Sequence, residues 1–183
     1  MIRCFIEKSY ATIKLPILWL SLMIFMVFIL FVLPQEVQRS EHYFGDSQVP
    51  DTSFFYTGEA LDQMAQDFGQ EGRAYYIRSR ATFDVVWPLG YGFFLWAALA
   101  YFGKAVKETV FRYTLLLPII GVFFDFLENT GASVVMVLYP EKVPWLLFLV
   151  PIFTLSKWIV IGMSFIALLM LILYQGYQRI TDH

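Results

Sequence analysis

Four stretches of this 183-residue chain stay apolar long enough to cross a bilayer, and that limits its fold more than any other feature. A hydrocarbon layer of about 30 Å takes roughly twenty helical residues at about 1.5 Å each. The stretches lie at about 15–33, 83–103, 113–139 and 145–174. Backbone N–H and C=O groups in hydrocarbon must be satisfied within the segment, so each stretch is expected to be a helix. The expected fold is an all-α integral membrane protein: a single domain over 1–183, built as a four-transmembrane-helix bundle. The composition agrees, since 58% hydrophobic against 15% charged residues is too apolar for a water-soluble domain of this length.

The first stretch, LPILWLSLMIFMVFILFVL, carries no charge, exceeds a signal-peptide core in length and is followed by no small-residue cleavage site. It reads as an uncleaved signal anchor. Pro88 falls early in the second stretch and is expected to kink it. Basic residues set the orientation. Arg3, Lys8 and Lys14 precede the first span and Lys104, Lys107 and Arg112 follow the second, whereas the third connection has only Lys142. Both termini are therefore expected in the cytoplasm, with 34–82 outside. Lys107 and Arg112 serve most simply as anchors to anionic lipid.

The connection between the first two spans has helical periodicity of its own. Leu61, Met64, Ala65 and Phe68 fall at i, i+3, i+4 and i+7, with Thr57 placed as N-cap and Gly69 as the stop. A second helix from about Glu71 has no breaker before span two and is expected to run into it. This extracytoplasmic helical segment, 57–82, either roofs the bundle or lies flat at the interface with Tyr75 and Tyr76 in the aromatic belt.

Asp125, Glu128 and Lys157 stand inside apolar spans, where an ionised side chain costs at least about 2.5 kcal/mol unless paired or solvated. Antiparallel spans put Glu128 and Lys157 at matching depth, roughly 16 and 18 Å below the outer helix ends near Tyr139 and Trp145. Asp125, Glu128 and Asn129 share one face of span three; Thr154, Lys157, Ile161 and Ser164 share a face of span four; Asp84, Trp87 and Tyr91 share a face of span two. Two carboxylates one turn apart and one ammonium leave either a surplus charge or a protonated acid. One reading is a buried ion pair that only fixes helix register. The other is a pocket open to the outer face, lined by Asp84, Tyr91, Asp125, Glu128, Asn129, Thr154 and Lys157, with Arg73 and Arg80 at its mouth.

Much chemistry is excluded. The balance of 13 Lys+Arg against 15 Asp+Glu leaves no basic field for nucleic acid, and the single Cys4 allows neither an internal disulfide nor a CxxC pair. The two histidines, His42 and His183, lie outside the spans, so no HExxH zinc site and no intramembrane Ser–His dyad can form. No Gly-rich phosphate loop or paired DxxxD motif is present. No metal and no cofactor is expected, and whether the chain is an enzyme stays open.

The succession GQEGRAYY (69–76), WPLGY (87–91), DFLEN (125–129) and TLSKW (154–158) resembles uncharacterised bacterial four-span inner-membrane proteins of about this length, over roughly residues 55–160. The resemblance implies that the Asp/Glu/Asn and Lys positions form one site, and it implies a bacterial cytoplasmic membrane; it implies no activity. Three functions remain in order: binding of a small-molecule or lipid head-group ligand at the polar site; a structural or accessory subunit meeting a membrane partner; and a proton- or cation-coupled carrier, which four non-repeated helices supply poorly. Gly90, Gly92, Ala97, Ala98 and Ala100 would permit either a homodimer or close internal packing.

Overall fold

The computed structural model describes residues 2–45, 47–106 and 109–181. Lys107 and His183 lie outside the described residues. Among the described residues the regular structure is entirely helical, and four helical runs, Leu15–Phe44, Gly69–Phe102, Tyr113–Leu138 and Pro144–Thr181, are long and apolar enough to cross a membrane. The chain is thus built as a multi-pass membrane protein.

An amphipathic helix, α1 (Ile2–Thr12), lies across one end of the bundle with Ile6 and Tyr10 buried. A Cβ on Gly103 would stand 2.8 Å from the Tyr10 ring, so glycine there lets the two segments touch. Helix α2 (Leu15–Val27) does not end near residue 33 as expected. It passes through a π turn at Phe28–Val32 into α3 (Leu33–Phe44). The Leu33 N–H reaches back five residues to Phe28, and Pro34, which has no N–H, occupies the first turn of α3 where none is needed. Only Leu18 and Ser21 of α2 are buried, while Trp19, Met23 and Phe31 face outward, as expected of a peripheral, lipid-facing helix.

Thr57 caps α4 (Gly58–Asp67), its hydroxyl accepting from the Ala60 N–H at 3.2 Å. Leu61, Met64, Ala65 and Phe68 form its buried face, and Gly69 turns the chain at φ +60°. Helix α5 (Gly69–Phe102) follows and is helical across Pro88. After the short α6 (Thr109–Arg112) and a 3-10 turn at Tyr113–Leu116 come α7 (Leu117–Leu138) and α8 (Pro144–Thr181), the latter running beyond the expected 174.

Helices α5, α7 and α8 form the centre, with α2 against α5 and α4 laid over the ends of α7 and α8. Close approach depends on small residues: a Cβ on Gly131 would meet Val150 at 2.6 Å, and one on Gly92 would meet Val122 at 2.5 Å. Gly90, Gly92, Ala97, Ala98 and Ala100 are all buried within the chain. Two apolar clusters result. One gathers Tyr10, Leu95, Leu99, Leu115 and Leu171 at the α1 end; the other gathers Phe44, Leu61, Phe68, Met136 and Val150 at the α4 end. Of the two placements the sequence allowed for this segment, a roof or a helix flat at the interface, Tyr75 and Tyr76 take the first: both belong to the second core, with Tyr76 fully buried. A tyrosine ring under a packed roof buries more apolar area than one at a membrane surface.

Candidate functional site

Between the two apolar clusters lies a polar layer contributed by α5, α7, α8 and the segment leading into α4. The Lys157 ammonium stands 2.5 Å from Glu128 Oε2, with the two side chains 2% and 0% exposed. One turn along α7, Asp125 Oδ2 accepts from the Tyr91 hydroxyl at 2.7 Å, and its Oδ1 accepts from the Asn129 amide at 2.7 Å. One turn along α8, the Thr154 hydroxyl donates to the Val150 carbonyl at 3.1 Å and accepts from the Tyr56 hydroxyl at 2.8 Å. On α5, Arg80 and Asp84 pair at 2.5 Å, 8% and 2% exposed, and the guanidinium lies 4.4 Å from the centre of the Tyr76 ring.

The structure therefore brings Asp84, Tyr91, Asp125, Glu128, Asn129, Thr154 and Lys157 into the bundle interior, all buried. Arg80 sits inside with them rather than at a mouth. Arg73 does not join them: it donates to the Ala65 carbonyl at 2.8 Å and covers the Tyr139 ring at 4.5 Å, tying the turn after α4 to the end of α7. The difference is one of depth, not of face: Arg73 lies on the same side of α5 as Arg80 and Asp84 but two turns earlier, about 10 Å along the axis, where it meets the turn after α4 instead of the polar layer.

Sequence reasoning missed two members, Tyr56 and Tyr76, both buried. Tyr56 belongs to the roof, and with Ser53, whose carbonyl accepts from Trp158 at 3.1 Å, it fastens 53–57 to α8 directly above the charged pair. Burial pushes the Tyr56 hydroxyl far above the usual tyrosine range, and the nearby Glu128 and Tyr76 push the same way, so it stays a neutral donor. A third set, Glu36, Tyr75 and Ser79, also escaped notice. Glu36 Oε1 accepts from Tyr75 at 2.8 Å and from Ser79 at 2.7 Å, and Ser79 Oγ stands 3.4 Å from Asp84 Oδ2.

Among the described residues the layer holds three buried carboxylates, Asp84, Asp125 and Glu128, against two bases, Arg80 and Lys157. The formal sum is one negative charge. In a low-dielectric interior that surplus calls for a proton or for a cationic or donor-bearing guest. The Asn129 amide oxygen, also buried, has no hydrogen-bond partner among the described residues. No group of three or more His, Cys, Asp or Glu among the described residues is disposed to hold a metal ion. No protein-family model, curated protein or solved structure matches the chain.

Proposed function

We propose that this membrane protein binds a small polar or lipid-like ligand in its interior polar layer, the ligand presenting an ammonium or other hydrogen-bond-donating group to Asp125 and Asn129. The reading rests on the surplus carboxylate: helix register needs a matched pair, and this layer has three acids for two bases. The orphan amide oxygen of Asn129 offers the same guest an acceptor. We place the protein in a bacterial cytoplasmic membrane with both termini inside and residues 34–82 outside, on the distribution of lysine and arginine in the connections and the motif resemblance.

One observation favours a structural reading instead. Glu128 and Lys157 pair within the chain at a point where Gly131 lets α7 and α8 pack closely, which is what register specification would need. Asp125→Asn separates the two, because it takes one acid out of the layer and keeps both members of the Glu128–Lys157 pair. With native mass spectrometry and thermal melting on the same samples, the ligand reading expects a defined bound mass on the wild type that Asp125→Asn loses at nearly unchanged melting temperature. A wild type without bound mass, and an Asp125→Asn protein that is merely more stable, would support the structural reading.

A further inference from the structure

A cleft of about 70 Å³ opens on the flank of the bundle between α3 and α5, closed at one end by Val49 and Thr52, and reaches the polar layer. Its inner wall is Ser79, Arg80 and Asp84; its outer wall includes Glu36, Ser40 and Val37. At roughly 10–15 Å³ per water it has room for a short hydrated passage or a small head group, not for a packed side chain alone. Exposure falls along it, from 17% at the Glu36 side chain to 2% at Asp84.

A larger cleft of about 500 Å³ lies on the roof at the seam of α4 and α8, but its lining, from Gly58 and Asp62 to Lys142 and Leu147, includes no residue of the polar layer, and the roof beneath it is fastened. Tyr56 bonds Thr154, the Ser53 carbonyl bonds Trp158, and Lys142 pairs with Asp62 at 2.5 Å. Gly58 seats α4 so tightly on α8 that a Cβ would lie 2.5 Å from the Leu147 carbonyl oxygen. Each of these contacts would have to break together for the roof to lift. On the flank, the bonds that join the two walls, from Tyr75 and from Ser79, both end on the one Glu36 carboxylate, so the movement of a single side chain releases them.

From this contrast we infer that the flank cleft is the entrance to the polar layer, and that what enters is the head group of an amphiphile donating hydrogen bonds, an alkylamine in its simplest form. This deepens the reading above and rests on it. Glu36 lies about 31 Å along the helix from Leu15, close to one bilayer thickness of about 30 Å, so the cleft stands at head-group level. Arg80 cancels Asp84 at the inner wall, so the preference for a positive, hydrogen-bond-donating head over an anionic one comes from Glu36 at the rim and from the single surplus negative charge of the layer beyond. The alkyl chain stays in the bilayer along Leu33, Val37 and Phe83 at the rim. No covalent step is involved.

The test uses a long-chain alkylamine carrying a diazirine near its head, with the full-length protein in phosphatidylcholine nanodiscs. Photo-cross-links are expected to concentrate in 33–44 and 75–84, to be suppressed by excess plain alkylamine and to persist with the matching fatty acid. Val37→Trp plugs the rim from a side chain that is 44% exposed, so the fold is spared, and it should lower capture about tenfold, equivalent to about 1.4 kcal/mol. Cross-links spread over the outward faces of α2 and α8, indifferent to Val37→Trp or equally suppressed by fatty acid, overturn the entrance. If the bound mass on wild type is still lost in Asp125→Asn, the entrance alone is wrong; if neither result appears, the binding reading fails with it.

Discussion

Lys157 and Glu128 are each nearly inaccessible and are held against each other, so neither can lose its partner cheaply. Glu128→Gln should destabilise the protein by about 1–3 kcal/mol, less than the about 3–5 kcal/mol of a wholly uncompensated buried charge, because it removes the carboxylate that touches Lys157 while Asp125 one turn away still balances the ammonium, and Glu128→Gln with Lys157→Met should recover most of that loss. Melting curves on both variants check this; a double variant no better than the single one would show that the pair does more than balance charge. At this scale the α7 stripe was legible because a charge inside an apolar run stands out against its neighbours. Tyr56, Tyr76, Ser79 and Glu36 were not legible, since tyrosine, serine and glutamate in a polar connection are as much at home on a surface as in a core. Only the fold of 47–68 over the bundle distinguishes the two, and no periodicity within α5 or α7 encodes it.

Helix α4 carries the roof, and its attachments are few enough to test singly. Thr57→Ala removes the N-cap and should cost about 1 kcal/mol. Gly58→Ala should cost about 1–3 kcal/mol, because the new methyl meets the Leu147 backbone oxygen and α4 must lift from α8. The roof also has a pH window. Glu59 is held below the usual glutamate range by its own backbone N–H and by the Thr57 hydroxyl, so its contribution is full above that range and fades as pH falls through the lowered value. Lys142 is held above the usual lysine range by the hydrogen bond and charge of Asp62, so its contribution is full below that range and fades as pH rises through the raised value. Hydrogen exchange of 58–67, corrected for intrinsic rates, should be slowest between these limits; protection independent of pH would contradict the attachment. The cap, the apolar face and the glycine stop of α4 could all be read in sequence because each is a local signal. The continuation of the first span to Phe44 could not, since Pro34 reads equally as a terminator or as the first turn of a new helical segment.

The molecule as a whole is a pair of apolar clusters enclosing a polar layer, roofed at one end by α4 and notched on one flank between α3 and α5. Span count and the convergence of charged residues follow from hydropathy and helical spacing. What encloses those residues, and from which side they are reached, depends on long-range packing. The central claim is that the surplus carboxylate exists to hold a guest. Its most direct test is native mass spectrometry of the purified wild type beside Asp125→Asn, with melting temperature recorded on each. The account predicts a defined adduct on the wild type and none on Asp125→Asn at a closely similar melting temperature. A bare wild type whose Asp125→Asn variant is simply more stable would contradict it.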